Sequence, residues 1–304
     1  MLLYKDKEHF RDIIIATSEK YKLEPALIEK DYFATLFLKK AIEKIPWLVF
    51  KGGTSLSKCF NIIDRFSEDI DLTLDVNHFS QSFKRNANKK LIEVCEELDL
   101  FLVNKEKIQT HTHSNYNCYE IQYPMIFSSS NIKSELKIEM VYIQKSFPSL
   151  NCNANSYVGN FLLMSNNSNI AIMYELAPFN VQVQTLERTL IDKIFAICDY
   201  FLNNNPKRNS RHIYDIYKLL TKINIYDNNL KELIIQVRNE RIKNKICVSA
   251  QNGIYLIDIL KKIIDSEFYK KDYIEITSKL LTKEVSYADA IKSLQTIIDS
   301  GLFT

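Results

Sequence analysis

Lys51-Gly52-Gly53-Thr54-Ser55 and, shortly after it, Ser67-Glu68-Asp69-Ile70-Asp71-Leu72-Thr73-Leu74 decide how this chain is read. The first stretch follows the apolar run Trp47-Leu48-Val49-Phe50 and reads as a strand, a glycine turn and a short helix. Only five glycines occur in 304 residues, where average usage of about 7% would give roughly twenty. A chain so poor in glycine places a pair where its backbone turns sharply or approaches something closely. Thr54 or Ser55 is expected to cap the helix, whose first N–H groups and positive dipole end suit a phosphate.

The second stretch carries carboxylates. Ile70, Leu72 and Leu74 alternate with Asp69, Asp71 and Thr73, the period of a half-buried strand. Residues two apart on a strand point the same way, roughly 6.5–7 Å apart. Asp69 and Asp71 can therefore hold one or two Mg²⁺ ions, which take carboxylate oxygens together with substrate phosphates. An isolated Asp-x-Asp is more often an exposed face with two solvated acids. With Gly-Gly-Thr-Ser beside it, the pair points to metal-assisted transfer of a nucleotidyl or phosphoryl group. The glycine stretch lacks the Gly-Lys-Ser/Thr of a P-loop, which disfavours a P-loop kinase.

Phe50-Lys51-Gly52-Gly53-Thr54-Ser55-Leu56-Ser57-Lys58 and Arg65-Phe66-Ser67-Glu68-Asp69-Ile70-Asp71-Leu72 resemble the first motif of the AbiEii/AbiGii toxin-type nucleotidyltransferases. That family lies within the DNA polymerase β-like nucleotidyltransferase superfamily. The resemblance implies a third carboxylate on a strand beside the Asp-x-Asp strand. In Leu136-Lys137-Ile138-Glu139-Met140-Val141-Tyr142-Ile143, Glu139 takes that place, with Lys137 and Val141 on its face. It also implies a helix whose lysine meets the nucleotide phosphates, matched by Lys193 within Leu186–Ile197, a helix that Thr185 can cap. Arg211-His212-Ile213-Tyr214-Asp215 resembles the motif that follows, with Ile216 where the pattern ends in Leu. Asp215 is then expected either to pair with Lys193 and orient it or to assist the acceptor, and Arg211 or Arg208 to meet phosphate. The segment around Lys30 and Asp31 is similar to the family's N-terminal helix and could touch the site, but a solvated charged face is the expected reading of both residues.

Composition sets the surroundings. With 46% hydrophobic and 25% charged residues the chain is an ordinary globular one,. Its net charge of +3 is compatible with nucleic acid without demanding it. Six scattered cysteines form no Cys-x-x-Cys pair, and the first residues lack the apolar stretch of a signal peptide. Both predict reduced thiols and a cytoplasmic chain. No apolar run is long enough to span a bilayer, so partners are expected to be soluble. His111 and His113 have no further ligand at metal spacing and read as a polar loop. Two helices are expected over 6–44 and another over 79–97. Strands are expected over 98–103, 116–126, 135–143 and 158–164, and a short one at Val181–Gln184. Beyond 185 the pattern is helical, and Lys231, Arg238, Arg241, Lys243 and Lys245 make one helix basic. That stripe is either an RNA-tracking surface, salt-sensitive in its affinity, or a solvated face.

The expected fold is α/β (α+β): a polymerase β-like nucleotidyltransferase core over 1–183, its mixed sheet flanked by helices, and a helical C-terminal domain over 184–304. The expected chemistry is attack by an acceptor hydroxyl on the α-phosphate of an NTP. The catalytic set is Asp69, Asp71, Glu139, Lys193 and Asp215. Asp69, Asp71 and Glu139 are the ligands of two Mg²⁺ ions, or of Mn²⁺ in their place. Lys51, Gly52, Gly53, Thr54, Ser55, Lys193 and Arg211 are the nucleotide-binding residues. The resemblance further implies the toxin of a toxin–antitoxin or abortive-infection pair, with RNA (the tRNA 3′ end) as acceptor and an antitoxin protein as partner. The alternatives are a transferase acting on a small molecule or protein, and a non-catalytic nucleotide-binding module of the same fold.

Overall fold

The computed structural model describes residues 1–67, 69–110, 115–129, 134–142 and 144–303. The chain forms two compact units, Met1–Cys59 with Glu68–Val183, and Phe60–Ser67 with Gln184–Thr304. The expected division at 183/184 did not include the short Phe60–Ser67 excursion into the second unit.

The first unit opens with α1 (Lys7–Tyr21) and α2 (Pro25–Lys44). Asp6 accepts the His9 N–H at the start of α1, and Pro25 fills the first turn of α2, the position where its missing N–H costs nothing. Then follow β1 (Leu48–Lys51), α3 (Gly52–Lys58), β2 (Asp69–Leu74), α4 (Gln81–Glu97), β3 (Phe101–Leu102) and α5 (Lys105–Thr110). The unit continues through β4 (Tyr116–Gln122), β5 (Glu135–Val141), β6 (Ser149–Ala154), α6 (Tyr157–Met164), α7 (Ser168–Met173) and β7 (Phe179–Gln184). Among the described residues these strands make one mixed sheet in the order β3-β4-β5-β2-β1-β7-β6. β2 runs antiparallel to β1 and parallel to β5, and β1 runs parallel to β7.

Each central strand has one buried apolar face. Ile70 and Leu72 of β2, and Leu136, Ile138 and Met140 of β5, are fully buried, while Asp69, Asp71, Lys137 and Glu139 are half-buried. The alternation in β2 stops at Thr73, which is buried and spends its hydroxyl on the Val141 carbonyl at 2.6 Å.

Two of the expectations that fail in this unit concern α6 and α2. Residues 157–164 form the helix α6, not a strand, because Ser156 accepts the Gly159 N–H at 2.9 Å and closes a first turn,. A short, mostly apolar stretch of that length, interrupted only by Gly159 and Asn160, does not distinguish the two by period,. Lys30 and Asp31 are not solvated: they are 2% and 6% exposed, and Glu29 is 0%. Asp31 pairs with Lys58 and accepts the Tyr157 N–H, while Glu29 takes the N–H groups of Ile126 and Phe127. Helix α2 packs against α1, α4 and α6, so its charged residues are buried and must find partners.

The second unit contains α8 (Leu186–Leu202), α9 (Arg211–Leu219), α10 (Asn228–Arg241) and α11 (Leu256–Asp265). Next, α12 (Lys270–Asp272) runs through a π-turn at Tyr273–Thr277 into α13 (Ser278–Leu280), and α14 (Tyr287–Asp299) completes the unit. The Thr185 hydroxyl caps α8 by accepting the Arg188 N–H. Helix α8 packs on α9, α10 and α11, and α14 on α9 and α11.

Candidate active site

The backbone that precedes the carboxylates is shaped around one of them. Helix α3 starts at Gly52, which holds φ +76°, a left-handed conformation costly to any side chain. A Cβ built there would lie 1.8 Å from Asp71 Oδ2, 2.7 Å from Cγ and 3.0 Å from Cβ. The Asp71 side chain therefore rests directly on the Gly52 backbone. The register explains the contact, since Lys51 is the cross-strand partner of Asp71 and leads straight into the turn.

Thr54 and Ser55 do not cap α3. Both are buried; Thr54 donates its hydroxyl to the Asp69 carbonyl and Ser55 to the Gly52 carbonyl. They tie α3 to β2 and close the turn, so what α3 presents to an anion is backbone N–H, not a hydroxyl.

On the other side of β2, Asp71 is in register with Glu139 and Asp69 with Lys137 on the parallel strand β5. Neighbouring strands lie about 4.8 Å apart, so Asp69, Asp71 and Glu139 share the half-buried face of two adjacent strands. Tyr116, from β4, hydrogen-bonds Glu139; burial first, then the Glu139 charge, pushes its phenol up. Among the described residues no three acidic, histidine or cysteine side chains converge at ligand distance. The donor set nonetheless suits a hard divalent cation, being all carboxylate oxygen on one face. The Gly52 cradle, which a Cβ would fill, keeps Asp71 on that face. His111 and His113 lie outside the described residues, as does Glu68.

The second unit holds the remaining candidates. Lys193 on α8 and Asp215 on α9 form a buried pair, Nζ to Oδ2 2.5 Å, at 6% and 0% exposure. Asp215 is also gripped by Arg65, Nε to Oδ1 2.7 Å and Nη2 to Oδ2 2.7 Å. Burial alone would raise the Asp215 carboxyl, but the charges of Arg65 and Lys193 hold it well below the usual carboxylate range. Burial lowers the Lys193 ammonium; Arg65 and Arg211 add to this, and Asp215 opposes it. His212 is held neutral by burial and by the same cations, its Nδ1 buried with no hydrogen-bond partner.

Arg211 is half-buried in the first turn of α9 and Arg208 is exposed. Asp272 clamps the loop between them by accepting the N–H groups of Arg208 and Ser210. Arg65 was missed from sequence. It stands within the quoted motif, and the available signal was an arginine set between Ile62-Ile63-Asp64 and Phe66.

The basic stripe dissolves on inspection. Arg241 is buried, bonded to Asp192 at 2.9 Å and stacked over Phe195, and Arg238 donates to the carbonyls of Ala250, Gln251 and Ile254. Only Lys231, Lys243 and Lys245 of the five remain exposed.

A family model described as Nucleotidyl transferase AbiEii toxin, Type IV TA system, matches residues 37–298. The chain belongs to this family. The match takes in both motifs, the third-carboxylate strand and the lysine helix, and starts after Glu29, Lys30 and Asp31. Membership makes the chain a nucleotidyl transferase toxin of a type IV toxin–antitoxin system, with an antitoxin as its counterpart. No curated protein matches the sequence. Among the described residues, no helix of this toxin is long and apolar enough to cross a membrane.

Proposed function

We propose that this chain moves a nucleoside monophosphate from an NTP to an RNA hydroxyl, at the tRNA 3′ end. The observation that carries the transferase reading is Asp71, seated on Gly52 on one side and in register with Glu139 on the other. Asp69, Asp71 and Glu139 would hold two Mg²⁺ ions; when bound, these polarise the α-phosphate and lower the pKa of an attacking hydroxyl. The chain's own groups do the rest. The backbone N–H groups at the start of α3 face phosphate oxygens, with Lys51 beside them. The Lys193 ammonium offsets triphosphate charge and the charge that grows on the departing pyrophosphate. Asp215, locked between two cations, orients Lys193; with both oxygens engaged by Arg65 and Lys193, it is not the group that takes a proton from the acceptor. A carboxylate of the Asp69–Asp71–Glu139 face is the base.

The reading of RNA as acceptor rests on the resemblance to the toxin family and not on a basic surface. The loss of Arg238 and Arg241 from the stripe weakens the contrast with a small-molecule acceptor, which is the second reading. Purified protein is incubated with total RNA, Mg²⁺ and each α-labelled NTP in turn, beside Asp71→Ala. Label in a tRNA-sized band with the wild type alone is the expected result. NTP turnover with no labelled RNA moves the acceptor to a small molecule or protein. Absence of both turnover and NTP binding overturns the transferase reading.

A further inference from the structure

The segment that leaves the first unit between α3 and β2 is fastened into the second by its backbone. Asp64 donates its N–H to the Tyr214 hydroxyl at 2.9 Å, and its carbonyl accepts the Thr282 N–H at 2.8 Å. Phe66 donates its N–H to the Leu280 carbonyl at 3.4 Å. The Asp64 carboxylate pairs with Lys218 at 2.8 Å and Lys283 at 3.0 Å. Arg65 is thus held between two anchored neighbours, 4% exposed, with its guanidinium turned onto Asp215.

The charge count there is unusual. Arg65 already satisfies both oxygens of Asp215 with a fork that matches them. Lys193 is then a second buried cation on a carboxylate that has been neutralised, and it shares Oδ2. Burying a charge costs several kcal/mol on the order of, so a purely structural pair has no use for the extra ammonium. Taken by themselves, the three groups Arg65, Lys193 and Asp215 sum to one positive charge. Of the three N–H bonds on Lys193 Nζ, one goes to Asp215. Without Arg65, Asp215 would close on Lys193 as a simple neutral pair.

We infer that Arg65 is a positioning residue for nucleotidyl transfer: by holding both oxygens of Asp215 it aims the Lys193 ammonium and leaves its charge available to a phosphate anion. The inference rests on the transferase reading above and concerns how Lys193 is kept ready. Among the described residues, four titratable or charged groups act on Lys193. Asp215 stabilises its charge, Arg65 and Arg211 oppose it, and His212 is neutral.

The test uses the full chain with Arg65→Met and Arg65→Lys, melting temperature reporting the fold. Two readouts follow: NTP-dependent kinetics of label transfer, and amine labelling of Lys193 against pH, mapped by mass spectrometry. In Arg65→Met the labelling midpoint of Lys193 moves to higher pH, because an opposing cation is gone. Its kcat falls about 10–100-fold, the size of effect expected from a misaimed group. Arg65→Lys keeps the charge without the fork, so its midpoint stays near the wild type while kcat recovers only in part. Folded variants with kcat within about twofold of the wild type, or an unmoved midpoint in Arg65→Met, overturn the inference. If Arg65→Met does not fold, Arg65→Lys decides: wild-type kcat overturns the inference, and a reduced kcat at wild-type stability supports it. If the wild type transfers no nucleotide, the transferase reading has failed, and the labelling midpoint alone decides for Arg65.

Discussion

Gly52→Ala is the most discriminating single change in the first unit. Two costs are built into it. Gly52 sits at φ +76°, and an L-residue held in that region pays about 1–2 kcal/mol. The new methyl also enters space that Asp71 fills. Ordinary contact begins near 3.4 Å and Oδ2 is at 1.8 Å, so the oxygen must retreat by about 3.4 − 1.8 = 1.6 Å. Rotating the side chain does not free it, because Asp71 Cγ and Cβ are themselves at 2.7 and 3.0 Å. Either β2 shifts away from β1 or the carboxylate leaves its face, and overpacking of this kind costs about 1–3 kcal/mol. Gly253→Ala supplies the control: its φ is +78° and nothing lies within 4 Å of an added Cβ. It bears the same backbone strain with no collision. Denaturant unfolding, with the transition of each unit followed separately, should show Gly52→Ala costing about 1–3 kcal/mol more than Gly253→Ala. Calorimetric titration with Mn²⁺ should show weakened binding in Gly52→Ala alone, and label transfer should drop about 100-fold from the displacement of a reacting group. Equal unfolding costs for the two alanines, with unchanged Mn²⁺ affinity, would refute the reasoning that Asp71 is positioned by the Gly52 backbone.

Asp215→Asn strands two buried cations on a neutral amide and is expected to cost about 3–5 kcal/mol near neutral pH. The sign with pH follows from the lowered folded-state pKa: Asp215 contributes fully above its unfolded value of about 3.9 and loses that contribution as pH falls toward the folded value. The stability gap between wild type and Asp215→Asn should therefore narrow below about pH 4; a gap that is flat or widens in acid contradicts the pairing. Arg241→Met should destabilise the protein by leaving Asp192 and Asp199 short of a cation, without altering retention on RNA. Replacing Lys231, Lys243 and Lys245 with Gln should leave stability within about 0.5 kcal/mol and lower the salt slope of any RNA binding. If Arg241→Met weakens RNA binding with stability intact, its burial has been misjudged.

Short-range patterns were legible in the sequence, and long-range pairings were not. The alternation of Asp69–Leu72 gave both the strand and its face, because that period depends only on which side is wet. Thr185 announced the start of α8 because a cap is a contact between neighbours in the chain. Glu139 was placed through resemblance and by its own alternation, and the register with Asp71 is what that placement needed. The errors have the opposite origin. Lys30 and Asp31 looked solvated because nothing nearby shows that α1, α4 and α6 close over α2, or that Lys58 comes to meet Asp31. Arg238 and Arg241 looked like a nucleic-acid stripe at helical spacing. Their true partners, carboxylates on α8 and carbonyls at 250–254, are contributed from elsewhere in the second unit. Helix α6 differs from the expected strand because so short a stretch is silent on period, and the Ser156 cap decides it.

Arg65 illustrates the same limit and gives the second motif a physical meaning. In Arg211-His212-Ile213-Tyr214-Asp215, sequence alone offers Asp215 an expected partner in Lys193 and offers Tyr214 none. In the structure both point at the excursion: Tyr214 takes the Asp64 N–H and Asp215 takes the Arg65 fork. The adjacent pair on α9 thus recognises an adjacent pair that arrives from 150 residues earlier in the chain. Arg65 brings a buried charge that Asp215 compensates, while Asp215 also holds Lys193, so burial ties the arginine motif to the aspartate motif. The co-occurrence of the two motifs is therefore required by burial before any chemistry is considered. What burial does not require is Lys193 on the same carboxylate. That extra cation is the group whose service to an anionic substrate the Arg65 variants test.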